Sequence, residues 1–573
     1  NTLSEKFNSD DNPNNDLSPT QLQDLFKWYR RKDLTIQDHS YVIDGTIGGP
    51  IPGGSYLGDL RFLASYRQNQ DPYIIPQSYD SQMNRMGQLK LTANITPAMK
   101  LQFQGLYQEQ HGLNPTNEGW PEMMDGGSSM AYSLGSDASI FANHNWSQMD
   151  VTRQVLGVEF THSISANTFY NVRLQRNSSD YWTRPGRHRD KETIVNQIGP
   201  RELDEAPFGY DSTLTTTPTG MWLGGNYAWS RDDSWSKRWS GSFDITSQLN
   251  SFSQLKAGAD YIYTIHRSDH RQDHALFWQG GGDPVFIWKR YPRQGAVYAQ
   301  NKLEFEGLIA NVGLRLDYFD AGGMWFDADP FDTGYSSVTP HPDQSIEKRS
   351  TDPRTAISPR LGLSFPISVD SKFFFNYGHF RQLPDPDRIY MIREIFSGKI
   401  TEVGNPNQPM PKTISYELGY EQSIADAYLL RLNGYYKDIT EQPRNVGFHD
   451  ISGLVDYSKP LPHNYEDVRG FEATLRKVGG QWIRGFANFT FMARKQGNFG
   501  LGQIYENPVE QRQYIRTSTE NVQFKPVPQP YARASITLLG PQEFGPALGS
   551  LHPLGDWRLS FLGSWRAGDV FTW

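Results

Sequence analysis

The sequence predicts an all-β chain, a transmembrane antiparallel up-and-down β-barrel with short periplasmic turns and long extracellular loops. Three observations support this fold class. Hairpins of alternating apolar and polar residues recur along the chain, aromatic residues make up 13% of it, and tight turns alternate with connections of tens of residues. Helical membrane spans are not expected, because the mean hydropathy is -0.64 and no run of about 18 apolar residues occurs.

The first forty residues differ from the rest of the chain. Residues 1–40 are polar and rich in Asn and Asp, and they predict a loop with one short helix near 18–31, where Leu22, Leu25 and Phe26 share a face. Residues 41–573 carry the strand pattern and are predicted as a partial transmembrane barrel. The chain has no cysteine, which excludes disulfides and thiolate metal sites.

The clearest hairpin is GQLKLTANITPAMKLQFQGLYQEQ at 87–110. Leu89 and Leu91 alternate with polar residues in its first arm, and Leu101 and Phe103 do so in the second, after a turn at 96–99. The same unit recurs at 41–67, 156–176, 241–263, 301–319, 360–380, 414–436, 470–492 and 531–566. Together these hairpins predict about eighteen strands, each long enough for the roughly 9–11 residues of a membrane-spanning strand.

The stretch FFFNYGHF at 373–380 shows how a polar chain can face lipid. Alternation turns Phe373, Phe375 and Tyr377 to one side and Asn376 and Gly378 to the other, so only every second residue needs to be apolar. Tyr at strand ends is typical of the interfacial girdle. The predicted lipid-facing residues are Leu89, Leu91, Leu101, Phe103, Leu314, Leu316, Phe373, Phe375, Tyr377, Leu430, Leu432, Phe489 and Phe491.

The connections distinguish this fold from soluble β-proteins. Turns within hairpins are short, whereas the connections at 110–151, 178–239, 267–294, 320–357, 381–411, 439–466 and 495–527 are long. All long loops therefore fall on one side, as in an outer-membrane barrel. A propeller would repeat every 40–45 residues or so with a blade signature, and a sandwich seldom has loops above about 15 residues.

The predicted loops offer candidate ligand residues. Trp182, Trp222, Trp278, Trp288 and Trp325 lie in them, and an indole face can stack on a sugar or a flat solute or pack one loop on another. Loop packing is the commoner role for any one Trp.

Two groups have the residue types of a metal site. His266, His270 and His274 are four residues apart, and Asp327, Asp329 and Asp332 could hold a hard cation. Neither group is favoured: a solvated loop explains the first and an Asx-rich turn the second. No cofactor and no catalytic motif is predicted, so we do not expect an enzyme. The net charge of -8 does not favour nucleic-acid binding.

Several segments together resemble a known family. IANVGLRLDYFD at 309–320, SPRLGLSFPI at 358–367, FFFNYGHFRQLPD at 373–385, GNPNQPMPKTISYELGYEQ at 404–422, YYKDI at 435–439 and RGFEATLRK at 469–477 are similar in order and spacing to the barrel of a TonB-dependent outer-membrane receptor. No single segment is specific, and the resemblance is carried by the series over residues 41–566.

The resemblance implies a 22-stranded barrel of the bacterial outer membrane, an N-terminal plug and a TonB box. The sequence departs from that pattern, because it contains no plug-like domain, no TonB box and about four strands too few for closure. We therefore expect a portion of a longer protein whose missing N-terminal region contacts TonB. The alternative is that Trp573 is a genuine barrel end, which is disfavoured because DVFTW follows the strand directly.

The expected function is TonB-dependent import of a scarce, bulky solute, such as a siderophore, cofactor, oligosaccharide or peptide. One alternative is a structural or adhesive surface barrel whose Trp-rich loops dock a partner protein. A passive porin is the least favoured. The expected partners are the lipid bilayer, lipopolysaccharide, the TonB complex and a surface lipoprotein.

Overall fold

The computed structural model describes most of the chain. The residues outside the description are 1–7, 9–10, 30–34, 116–121, 134–145, 185–195, 204–227, 229, 273–285, 337, 339–344, 384, 395–398, 478, 519–522, 548, 550–551 and 569–573.

Strands dominate the described residues. In chain order they are β1 (Tyr41–Pro50), β2 (Arg61–Pro72), β3 (Ser81–Thr96), β4 (Met99–Asn114), β5 (Ser147–Ser165), β6 (Thr168–Arg184), β7 (Asn196–Ile198), β8 (Arg201–Leu203), β9 (Ser230–Asp232), β10 (Trp235–Asn250), β11 (Ser253–Gln272), β12 (Phe286–Arg290), β13 (Arg293–Phe305), β14 (Leu308–Asp320), β15 (Met324–Phe326), β16 (Lys348–Ser350), β17 (Arg354–Ser368), β18 (Ser371–Arg381), β19 (Ile392–Glu394), β20 (Ile400–Val403), β21 (Lys412–Ile424), β22 (Tyr428–His449), β23 (Asp456–Lys477), β24 (Ile483–Asn498), β25 (Gln503–Tyr505), β26 (Tyr531–Leu539) and β27 (Arg558–Arg566).

Helices are few. The α-helices are α1 (Pro19–Tyr29), α2 (Gly126–Ser133), α3 (Pro386–Tyr390) and α4 (Pro508–Thr517), and short 3-10 helices lie at Pro13–Asn15, Gly54–Leu57 and Thr333–Tyr335. The predicted N-terminal helix corresponds to α1. Within the described part of the chain, no helix has the length and apolar character needed to cross a membrane.

Eighteen of the strands have nine or more residues, and they form one antiparallel up-and-down series. Each long strand pairs with the next long strand along the chain, from β1 to β27. The predicted fold class and the predicted number of strands are thus confirmed. Among the described residues, β1 pairs only with β2 and β27 only with β26.

The register places apolar side chains in continuous rows on one face of the sheet. Phe373 lies opposite Tyr420, Tyr420 opposite Leu432, and Ala473 links Leu432 to Phe489. The rings of Phe373 and Tyr420 are 4.9 Å apart. A one-residue slip would turn every one of these side chains to the other face, so the alternation fixes the register.

The other face is mainly polar, although Phe374 and Phe380 of the same segment also lie on it. Asn376 donates from Nδ2 to Glu417 Oε2 at 3.1 Å. Phe374 also faces this side and lies over Gly419, where an added Cβ would come within 2.0 Å of its ring. A glycine is required at Gly419 because the ring occupies the space of a side chain.

The predicted bounds of two long loops need correction. The segment 439–466 is a pair of continued strands, because β22 and β23 pair up to His449 and Asp456 with register shifts between Ile439 and Arg444. Likewise β11 continues to Gln272 and is not a loop from 267 onward. The shifts and Pro443 interrupt the alternation, which explains why the sequence pattern stops early.

The long connections form their own apolar core at the same end of the sheet. Residues of the connections between β14 and β17 and between β18 and β21 pack on the continued parts of β22 and β23. This loop core consists of Trp325, Tyr335, Ile346, Ile392, Ile400, Val403, Val446, Phe448, Val455 and Tyr457. The loops are therefore held in fixed positions by buried apolar surface.

Candidate functional site

Charged side chains line the polar face of the sheet between β11 and β17. Leu314, Leu316 and Tyr318 point to the apolar face of β14, so Arg315 and Asp317 point to the polar face. Arg315 Nη1 lies 3.3 Å from Asp260 Oδ2, and its Nε donates to Asp317 Oδ1 at 2.7 Å. One guanidinium thus joins two carboxylates from β11 and β14, which fixes all three side chains.

We call this row of charged side chains the charged wall. The connection between β18 and β21, residues 382–411, folds against it. Met410 and Tyr390, at the end of α3, pack on Phe319 of the polar face in a small apolar cluster. The Tyr390 ring lies 5.1 Å from that of Trp288, and its hydroxyl donates to the carbonyl of Ala321 at 2.5 Å. Burial raises the pKa of the Tyr390 phenol, so it is a neutral donor at physiological pH.

Arg381 anchors the start of this connection. It donates from Nη1 to the carbonyl of Met410 at 2.9 Å and to Glu441 Oε2 at 2.5 Å. These bonds join both ends of the 382–411 segment to β22. The described part of this segment, which we call the roof, is consequently held over the charged wall.

A pocket of about 460 Å³, here called the roofed pocket, lies between the charged wall and the roof. It is lined by Asp260, Ile262, Gln294, Gly295, Ala296, Arg315, Asp317, Tyr318, Arg381, Gln382, Leu383 and Met410. Its volume is in the range of small-molecule sites, about 300–1,000 Å³. Two carboxylates, two guanidiniums, two amides and apolar surface give it hydrogen-bond donors and acceptors without a strong net charge.

A larger pocket of about 1000 Å³ lies at the edge of the sheet, between β24, β26, β27 and the segment at 526–529. Residues of β27 form part of its lining, and β27 pairs on one side only among the described residues. We therefore regard the roofed pocket as the candidate site.

The three predicted ligand tryptophans that the structure describes lie in different surroundings. Trp325 is buried in the loop core, with Arg290 above its ring at 5.4 Å. Trp288 packs on Tyr390, and Trp182 lies on β6 with 39% of its surface exposed. Trp222 and Trp278 lie outside the described residues. The buried Trp325 and the partly buried Trp288 thus take part in packing, and a ligand role for the five stays a prediction.

The weak metal candidates are also separated. Asp329 and Asp332 accept from the backbone N–H groups of Phe331 and Gly334, at 2.9 and 2.7 Å, as in Asx turns. Asp327 lies 3.9 Å from Arg349. Among the residues that the structure describes, no three His, Asp or Glu side chains form a group that could hold a metal.

The histidine spacing has a different meaning in a strand. His266 and His270 lie on one face of β11, four residues apart, which corresponds to about 13 Å. They cannot share one ion as residues on a helix would. His274 lies outside the described residues.

The structure places all thirteen predicted lipid-facing residues in strands, and none of them is buried. Leu89, Leu101, Leu314, Leu316, Phe373, Phe489 and Phe491 are exposed, and the others are half-buried. Their contact with lipid stays a prediction.

The charged residues of the roofed pocket were not predicted from the sequence. A usable signal was present at 314–318, where Arg315 and Asp317 alternate with apolar residues in LRLDY. This alternation alone places two charges on the polar face of one strand. Their convergence with Asp260 and Gln382 depends on strand neighbours and loop folding.

Comparison with known proteins identifies the family. A family model described as TonB dependent receptor-like, beta-barrel, matches residues 102–572. The chain belongs to the TonB-dependent receptor family. Proteins of this family are outer-membrane transporters and receptors, so the predicted family and outer-membrane location are confirmed.

Solved structures share the fold of this receptor at low sequence identity. The outer membrane transporter YddB of Escherichia coli is 10% identical, with a TM-score of 0.53 over 87% of this chain and 62% of that chain. The ferric-catecholate import receptor Fiu of Escherichia coli is 13% identical, with a TM-score of 0.50 over 91% and 73%. A mutant of the ferric enterobactin receptor PfeA of Pseudomonas aeruginosa is 12% identical, with a TM-score of 0.50 over 93% and 71%. No curated protein sequence matched the chain.

Proposed function

We propose that this receptor imports a polar solute across the outer membrane, that the roofed pocket binds the solute, and that TonB supplies the energy. The observation that carries this proposal is the joining of Arg315 to Asp260 and Asp317 beneath the 382–411 roof. Such a pocket orders several donors and acceptors before a ligand arrives. Preorganised groups of this kind provide selectivity at low entropic cost.

The chemistry of the pocket indicates the class of solute. Asp260 and Asp317 share Arg315, and Arg381 is paired with Glu441, so these five groups together have one net negative charge. A multiply charged anion would find no excess of positive charge. We therefore favour a compact solute of low net charge with hydrogen-bonding groups and an apolar side, which contacts Leu383 and Met410.

A ferric chelate is the first solute to test. Fiu and PfeA are named for ferric catecholate and ferric enterobactin, and chelates differ widely in net charge. Within that class, a pocket without excess positive charge favours neutral or zwitterionic chelates over multiply charged anions.

The test compares two pocket variants with a matched control in binding assays on the purified receptor. Arg315→Gln and Asp317→Asn each remove a charged hydrogen-bonding group, which is worth about 1.5–3 kcal/mol, or roughly 10- to 150-fold in Kd. Arg173→Gln is the control, because Arg173 pairs with Glu159 on the polar face of β5 and β6, outside the pocket. Equal losses in all three variants, or no loss in the pocket variants, would contradict the proposed site.

Uptake into cells with and without TonB distinguishes the three functions. The proposed importer binds the chelate in both strains and accumulates it only where TonB is present. A passive porin would admit it in both strains. An adhesive barrel would accumulate it in neither.

A further inference from the structure

Buried polar atoms without hydrogen-bond partners lie close together where β9 meets the C-terminal ends of β6 and β11. They are Asp232 Oδ2, His270 Nδ1, Thr183 Oγ1 and Ser230 Oγ. Asp232, Thr183 and Ser230 are fully buried, and the His270 side chain is 13% exposed. A buried polar group without a hydrogen bond costs free energy, so four in one place require an explanation.

The strand register brings these side chains together. Asp232 of β9 lies opposite Thr183 of β6 on one side and opposite His270 of β11 on the other. Directly opposed residues have Cβ atoms about 4.5–5.5 Å apart. Ser230 is two residues from Asp232 in the same strand and therefore shares its face.

Ser234 contacts both the Asp232 carboxylate and the His270 imidazole. The backbone N–H of Ser234 donates to Asp232 Oδ1 at 2.8 Å, which leaves Oδ2 free. Ser234 Oγ lies 3.4 Å from His270 Nε2, which leaves Nδ1 free. Nδ1 lies 3.1 Å from Asp232 Oδ1 without the alignment of a hydrogen bond. Metal-binding imidazoles and carboxylates are commonly held in this way through their second polar atom.

The charges around the cluster leave Asp232 with one described ion-pair partner, His270, which is charged only when it is protonated. Arg184 is paired with Asp233 at 2.5 Å, and Arg267 is paired with Asp269 at 2.7 Å. Among the described residues, the ion pairs of Asp232 include only His270. A buried carboxylate is stable only with a compensating charge.

A nucleophilic role of Ser234 does not agree with the geometry, although Ser, His and Asp are the residue types of a catalytic triad. Ser234 is buried, and its Oγ accepts the backbone N–H of Asp269 at 2.9 Å. Its own backbone N–H is bound to the Asp232 carboxylate that would have to orient the histidine. The cluster is suited to bind an ion or a water molecule between its side chains, and it does not present a hydroxyl to a substrate.

We propose that this cluster binds one divalent metal ion of the zinc class. His270 Nδ1 and Asp232 Oδ2 are the protein ligands, and the hydroxyls of Thr183 and Ser230 contact the ion or its water. Imidazole nitrogen favours zinc-class ions over Ca²⁺ and Mg²⁺. The ion would fasten β9 between β6 and β11 and so join three segments that are distant in sequence. This proposal is independent of the transported solute.

The experiment measures Zn²⁺ binding by the purified, chelator-treated receptor in detergent, by calorimetry and by metal analysis. Two matched pairs of variants locate the site. Asp232→Asn is compared with Asp233→Asn, because Asp233 is adjacent and pairs with Arg184. His270→Gln is compared with His266→Gln, because His266 lies on the same face of the same strand.

We expect Asp232→Asn and His270→Gln to abolish binding of one ion per chain and both controls to retain it. Ser234→Ala should weaken binding by about 10- to 100-fold, as for other residues that orient a ligand. Failure of the wild-type receptor to bind Zn²⁺, or full binding by Asp232→Asn or His270→Gln, would overturn the proposal and leave buried water as the explanation.

X-ray absorption of the wild-type receptor with one equivalent of Zn²⁺ covers the case in which a variant does not fold. The proposal predicts one imidazole ligand with oxygen ligands. A spectrum with two or more imidazoles would place the ion elsewhere and contradict it.

Discussion

At the scale of single residues, neighbours in one strand meet different surroundings. Arg315 and Asp317 form ion pairs on the polar face of β14, while Leu314 and Leu316 between and beside them are exposed on the apolar face. The sequence shows this alternation directly. It does not show that Asp260 is the partner of Arg315, because the polar face of every long strand offers similar positions.

Tyr390 provides a residue-scale prediction about pH. Burial raises its pKa above the usual value of about 10. The folded state therefore holds the phenol proton more tightly than the unfolded state, so the stability that Tyr390 contributes is complete below about pH 10 and is lost as pH rises towards its folded-state pKa. Unfolding free energies measured from pH 8 to 12 should decline less steeply in Tyr390→Phe than in the wild type.

Tyr73 is a suitable reference for that comparison. Burial also raises its pKa, but it packs in a separate apolar cluster with Leu113, Met124 and Trp146, which includes no described residue of the roof. Tyr73→Phe should leave the pH response of the roof unchanged when cleavage of the 382–411 segment by a protease is measured. Identical pH profiles for the wild type and Tyr390→Phe would contradict the role given to Tyr390.

At the scale of elements, the sequence predicts strands far better than loops. Period-two alternation is local, so it revealed the eighteen long strands and their order. The continued parts of β22 and β23 were missed because register shifts and Pro443 interrupt their alternation of apolar and polar residues. The roof and the loop core depend on contacts between segments that are distant in sequence, and no local pattern records those contacts.

The continued strands yield an element-scale prediction. Val446 of β22 is fully buried in the loop core, whereas Ile451 at the tip of the same hairpin is 67% exposed. Val446→Asp would bury an unpaired charge and is expected to release the loops, since such substitutions cost several kcal/mol. Limited proteolysis of intact cells should cleave this variant rapidly and leave Ile451→Asp as resistant as the wild type. Equal resistance of both variants would show that the loop core does not hold the loops.

At the scale of the whole molecule, the two faces of one sheet have different surroundings. The apolar face is predicted to contact lipid, and the polar face supplies the charged wall of the roofed pocket. The composition of the chain excludes helical spans, and the series of hairpins in the sequence is sufficient to indicate a barrel. The proposed solute site was not predictable, because the pocket is assembled from four strands and one loop.

The central claim is that β14 separates lipid from a solute pocket, and one measurement tests it most directly. Since the chain has no cysteine, single cysteines can be introduced from Val312 to Tyr318 in the intact receptor, spin-labelled and reconstituted in lipid. We predict a period of two: labels at 312, 314, 316 and 318 collide with oxygen dissolved in lipid, and labels at 313, 315 and 317 collide with a water-soluble nickel chelate. Accessibility without this period, or with the two phases exchanged, would contradict both the membrane orientation and the proposed site.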